Sequence, residues 1–296
     1  MRVAFEGLKW CRALVGWAVV LVSARASAAT QVLAPSDDTF INQGHPANNN
    51  GATLSIFTGT DGQNGVMRGL IRFGMPAALS GRVTVTSAQL TMTLQALGDM
   101  TAGTGAVESL QALTQAWAEG NGIGNVVMSF TVGQLCGGAI TGATWTEPNC
   151  AVADTWTTAG GTVVAAVSGQ SDTTGLPVGA QVVWSSTANA LLAQDVQGWI
   201  DDPASNDGWR ITSATEGAGH QAQRFFSKEA GASAPALTVS YVCKTGFVAS
   251  GNDCVAAAVP AVGPVAIAGL AGGLAALAFR VPSAWRRRRS PRPRRA

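Results

Sequence analysis

Asp201, Asp202, Asn206 and Asp207 fall in one short stretch closed by Gly208, a local supply of the hard oxygen ligands that calcium takes. Asp37 and Asp38 form a second acidic pair. The spacing of an EF-hand is missing, and turn formation with helix termination accounts for the same residues without a metal. Calcium, through Asp201, Asp202 and Asp207, is therefore the one cofactor the sequence leaves open. Glu119 with Glu147, or Asp37 with Asp38, would serve glycoside hydrolysis only if both carboxyls faced one bond, and nothing in the spacing fixes their separation. His45 and His220 are too few and too isolated for a Ser-His-Asp site. No Gly-rich run joins a strand to a helix as phosphate binding requires. No catalytic residue is assigned, and the chain reads as a protein without enzymatic activity.

Binding chemistry has more support. Aromatic faces stack on sugar C–H groups, while Arg, Lys, Asn and Gln bond hydroxyls. Arg72, Arg224, Lys228 and Trp209 are the candidate carbohydrate contacts. Each has a plainer account: Trp145, Trp156, Trp199 and Trp209 suit core packing, and the three basic residues suit ion pairs with acids of a neighbouring strand.

Those side chains must be carried by strands. The residues Thr53 to Phe57, Gly69 to Phe73 and Gln89 to Gln95 alternate apolar with polar, as half-buried strands do, and Leu237 to Val242 reads as a closing strand after Pro235. Leu192, Val196 and Trp199 fall at i, i+4 and i+7, a short amphipathic helix stopped by Asp201-Asp202-Pro203. With 36 glycines, 12 prolines and only 12% charged residues, the pattern is an all-β protein. The fold class is a β-sandwich of jelly-roll or Greek-key type with one short helix.

Both ends lie outside that fold. Residues 1–28 have basic residues, an apolar run from Ala13 to Val22 and Ala26-Ser27-Ala28, the layout of a secretory signal peptide. Residues 29–36 read as a linker, 37–242 as the sandwich, 243–258 as a disulfide-closed linker and 259–296 as a membrane or sorting tail. From Val255 to Phe279 the chain carries no charge for 25 residues, long enough to span a bilayer as a transmembrane helix, and Arg286 to Arg289 follow it. Export leaves four cysteines in two local pairs, Cys136 with Cys150 and Cys243 with Cys254, each bracketing a turn-rich loop. Disulfides fit an exported chain, whereas the spacing does not fit zinc. Seven basic against sixteen acidic residues between positions 29 and 258 give that region a net charge of −9. Long-range repulsion then disfavours nucleic acid as a partner.

Read in order, Asp38-Thr39-Phe40-Ile41, Asn48-Asn49-Asn50-Gly51, Arg68 to Phe73 and Val85 to Leu90 resemble the start of DNRLRE domains, also called carbohydrate-binding module family 96. Trp117-Ala118-Glu119-Gly120, Trp156 to Gly161, Asn206 to Trp209, Phe226-Ser227-Lys228-Glu229 and Pro235 to Tyr241 are similar to its second half. The resemblance implies an extracellular β-sandwich that binds polysaccharide without catalysis, acidic polymers among its ligands. The net charge of this chain argues instead for a neutral glycan. The tail, with Val259-Pro260, a small-residue apolar run and an arginine cluster, resembles PEP-CTERM and IPTL-CTERM sorting signals, which implies an exosortase-type processing enzyme as a further partner. The expected function is an exported, surface- or membrane-retained carbohydrate-binding module. Its rival is a structural or adhesive bacterial surface protein that binds no sugar.

Overall fold

The computed structural model describes residues 28–63, 65–97, 105–124 and 133–258. The strands are β1 (Ala28–Leu33), β2 (Pro35–Asn42), β3 (Asn48–Asn49), β4 (Ser55–Thr60), β5 (Val66–Phe73), β6 (Val83–Leu97), β7 (Val107–Ala112), β8 (Gln134–Leu135) and β9 (Gly169–Asp172). They continue with β10 (Gln181–Ser185), β11 (Trp209–Ser213), β12 (Gln223–Phe226), β13 (Ala236–Cys243), β14 (Phe247–Ser250) and β15 (Asp253–Ala256). One α-helix, α1 (Leu191–Asp201), lies among the described residues.

Eleven strands form one antiparallel sheet in the order β1-β13-β6-β12-β4-β5-β11-β7-β9, with β10 added to β6 and β2 to β5. The long β6 bridges the layers, pairing with β13 and β10 along one part and with β12 near its end. The sheet curls over itself as a sandwich, and Leu90, Met92 and Leu94 of β6 meet Ile71, Trp184, Trp209, Phe225 and Leu237 in the core between the layers. Period-two alternation puts Thr91, Thr93 and Gln95 of β6 on the opposite, outer face. Helix α1 buries Leu192, Val196 and Trp199, the stripe that its spacing predicts, and with them Ile200 against the same core.

A smaller apolar cluster lies on the outer side of β2 and β5. There Ile41 and Leu70 are capped by Leu113, Trp117, Trp145 and Trp156 from the long segment between β7 and β9. That segment has little regular structure, and the disulfide Cys136–Cys150 staples it. Cys243–Cys254 ties the end of β13 to the β14–β15 hairpin. Both pairs are those the sequence predicts.

Three expectations are corrected. Residues 29–36 are no linker: Ala28 to Leu33 pair in register with Val242 to Leu237, and β2 begins at Pro35. Residues 243–258, expected to be a linker, contain a hairpin. The strand expected over residues 53–57 starts at Ser55 and is buried along its whole length, with Phe57 packed on Phe40 in the core and the Arg224 guanidinium 5.8 Å from its ring. The signal-peptide reading falls on residues that, but for Ala28, lie outside the described ones, as do residues 259–296 of the tail. No helix among the described residues is long and apolar enough to cross a membrane.

Candidate functional site

Asp38 lies within β2, opposite Ile71 of β5, Glu119 sits on the loop beyond β7, and Lys228 and Glu229 open the turn after β12. Folding brings these distant positions together. The backbone N–H of Asp38 donates to Glu119 Oε1 at 2.9 Å, and the backbone N–H of Lys228 donates to Asp38 Oδ2 at 2.7 Å. The Lys228 ammonium lies 3.0 Å from Glu119 Oε2 and 3.1 Å from Glu229 Oε1.

The Glu119 loop is fixed from behind. Asn49 Nδ2 donates to the carbonyls of Glu119 and Ala143, and its Oδ1 accepts from the N–H groups of Gly51 and Gly122. All four bonds of that buried amide are thereby used. Gly120 passes so close that a Cβ would collide with the Thr141 carbonyl and the Asn49 amide, and its φ of 84° is one that glycine adopts without strain.

Burial, with the Glu229 charge behind it, pushes the Asp38 carboxyl up to about 8 against the Lys228 backbone bond. Glu119 is also raised, chiefly by burial. Burial works to lower Lys228, but hydrogen bonds and charge from Glu119 and Glu229 outweigh it and raise the ammonium. One oxygen on each of Asp38, Glu119 and Glu229 lies within 4.8 Å of the others, a spacing that could hold a metal ion. Lys228 already contributes a positive charge to that cluster. Asp38 is only 1% exposed, so Asp38 and Glu119 do not flank an open cleft as a glycosidic bond would need.

Next to this cluster, Arg72 bonds Asp37 Oδ2 through Nε at 3.0 Å and lies 5.2 Å from the centre of the Trp117 ring. Trp117 Nε1 donates to the Asp207 carbonyl at 2.7 Å. Arg68 forms a bidentate pair with Glu216 and stacks on Trp145, and Arg210 donates to the Gly161 carbonyl and Gln111. These cations pin the long segment to the sheet.

Of the four predicted carbohydrate contacts, Arg72 and Lys228 are thus engaged in ion pairs, as their plainer account held. Trp209 is fully enclosed, with Nε1 bonded to Asp195 Oδ2 at 2.8 Å and its ring 4.5 Å from that of Trp199. It has no free face for a sugar, and its role is corrected to core packing. Arg224 differs. Its guanidinium lies 5.8 Å from the Phe57 ring, its Nε is buried without a partner, and among the described residues it forms no hydrogen bond or ion pair.

The calcium expectation for Asp201, Asp202 and Asp207 is not met by their arrangement. Asp201 pairs with Lys244 and accepts from Gln197, Asp202 caps the turn at Pro203, and the three acids do not form a ligand group. Glu147 likewise stays apart from Glu119, which gathers with Asp38 and Glu229 instead. Sequence reasoning missed that grouping and also missed Phe226, a half-buried aromatic on the outer face of β12. The available signal was that Asp38, Glu119 and Lys228-Glu229 each stand inside a landmark of the family resemblance.

No curated protein matches the chain. The profile of carbohydrate-binding module family 96 matches residues 29–123, a span that includes Asp38, Arg72 and Glu119 and stops before Arg224 and Lys228. Over those residues the chain is similar to carbohydrate-binding module family 96, the family its landmarks resemble.

Proposed function

We propose that the protein is an exported, surface- or membrane-retained, non-catalytic module that binds polysaccharide. The observation that carries this reading is the family match over residues 29–123, laid on a β-sandwich with two disulfides. The disulfides fit an oxidising compartment. Residues 1–28 would direct export and 259–296 would retain the product, with an exosortase-type enzyme as processing partner. Deleting residues 259–296 then releases a folded protein from the membrane fraction. Equal solubility with and without the tail would contradict retention.

One observation favours the structural or adhesive reading. The six tryptophans between Trp117 and Trp209 and the single tyrosine, Tyr241, are all buried, so none offers the stacking platform common in sugar sites. Among the described residues, polysaccharide binding would rest on hydrogen bonds and on half-buried phenylalanines such as Phe226. Affinity electrophoresis of the purified protein in gels cast with different polysaccharides, paired with an assay for released reducing ends, separates the readings. Retardation without turnover supports the binding module. No retardation supports the adhesive protein, and released ends would reveal an enzyme.

A further inference from the structure

We infer that the glycan contact surface is the outer face of the β6–β10–β12–β13 layer, anchored by Arg224 and Phe226, and that its ligand is a neutral glycan. The inference rests on the binding-module reading and assigns it a site.

Arg224 and Phe226 point to the same side of β12, since Gln223 and Phe225 between and before them are buried. Register places Phe57 of β4 opposite Arg224 and Ser55 opposite Phe226. The Ser55 hydroxyl bonds Gln95 Oε1 at 2.5 Å, which occupies the amide oxygen of Gln95 and leaves its nitrogen as a donor. Continuing along the same face, β6 presents Thr91 and Thr93, and β13 presents Thr238 beside Gln89. The surface therefore combines a half-buried phenyl ring with a row of hydroxyl and amide groups, the two kinds of contact that a sugar ring satisfies.

Charge decides the ligand class. The outward positions of β6, β10 and β13 hold Thr, Ser, Gln, Val and Ala and carry no acidic or basic side chain. Among the described residues on the outward positions of this layer's strands, Arg224 is the one cation. The other cations described above are tied to carboxylates or carbonyls within the protein, and the region between residues 29 and 258 has a net charge of −9. A polyanion would meet one guanidinium against that field, whereas a neutral chain meets no penalty. The Arg224 Nε is buried without a partner, and among the described residues the guanidinium forms no hydrogen bond or ion pair, so its outer nitrogens remain as donors to an acceptor supplied from outside. A sugar hydroxyl or ring oxygen is such an acceptor.

The test is affinity electrophoresis of the purified protein against β-glucan, mannan and xylan, with alginate and pectin as acidic polymers, at low and high salt. The expected result is retardation by a neutral polymer that persists at high salt. Arg224→Ala and Gln95→Ala should each weaken it about tenfold, the equivalent of one or two lost hydrogen bonds. Phe226→Ala should weaken it comparably. Thermal melts establish that each variant is folded. Neutral-polymer binding that all three variants leave intact would overturn the site while sparing the module reading. Retardation confined to acidic polymers and abolished by salt would overturn the neutral-ligand assignment. Retardation by none of the polymers would count against the module reading itself.

Discussion

Lys228 Nζ stands 3.0 Å from Glu119 Oε2, joining the turn after β12 to a loop 109 residues earlier in the chain. Glu229 and the buried Asp38 complete the group. Removing the ammonium leaves three neighbouring carboxyls without a counter-charge. Lys228→Met should destabilise the fold by about 2 kcal/mol, below the cost of breaking a fully buried pair because the ammonium keeps some contact with water. Lys228→Arg should recover most of that loss. Urea denaturation measures both.

A second buried acid sets a pH dependence. Glu108 on β7 is fully buried near Thr58, Ser213 and Gln223, and burial pushes its carboxyl up to about 8, with the nearby hydroxyls of Thr58 and Ser213 acting the other way. The folded state therefore keeps a proton that the unfolded state releases near 4.5. Stability from this group is complete below that lower value, declines as pH rises and is lost once pH passes the folded value. Glu108→Gln should gain on the wild type by a few kcal/mol, roughly, between pH 5 and 8 and show a flatter profile. Parallel slopes for the two proteins would contradict a neutral Glu108.

The disulfides make a separable contribution. Cys136–Cys150 closes an irregular segment and Cys243–Cys254 closes a hairpin, with sequence separations of 14 and 11. Loops of that size are worth about 3 kcal/mol each in the chain-entropy account. Non-reducing peptide mapping should show these two pairs, and Cys136→Ser with Cys150→Ser should lower the melting temperature by several degrees, roughly 5 °C or more.

Trp209 provides a contrast with Arg224. Trp209→Phe removes the bond to Asp195 and leaves a void beside Trp199, so it should cost about 2 kcal/mol of stability while sparing glycan affinity. Arg224→Ala should do the reverse. A double comparison of melting temperature and gel retardation reads both.

How far the sequence spoke depended on how local each signal was. The alternation in β6 and the helical stripe Leu192, Val196, Trp199 are written within a few residues, and both elements form as predicted. Strand β1 escaped notice because Ala-Ala-Thr-Gln-Val-Leu has weak apolar content and owes its place to pairing with β13, some 200 residues away. The Asp38 cluster was hidden for the same reason. Glu119 invited pairing with Glu147 because both lie in one segment, yet the fold sends it to Asp38 and Lys228. Trp209 showed its residue type but not its burial, and the ion pair of Arg72 with Asp37 was legible only as an alternative until the register of β2 and β5 fixed it.

The central claim is that this sandwich holds a polysaccharide without cleaving it. A glycan array probed with the purified protein tests it most directly. The account predicts retention on one or more neutral glycans, weakened about tenfold by Arg224→Ala, with the retained glycan recovered intact. Absence of retention on every glycan, or recovery of shortened chains, would contradict it.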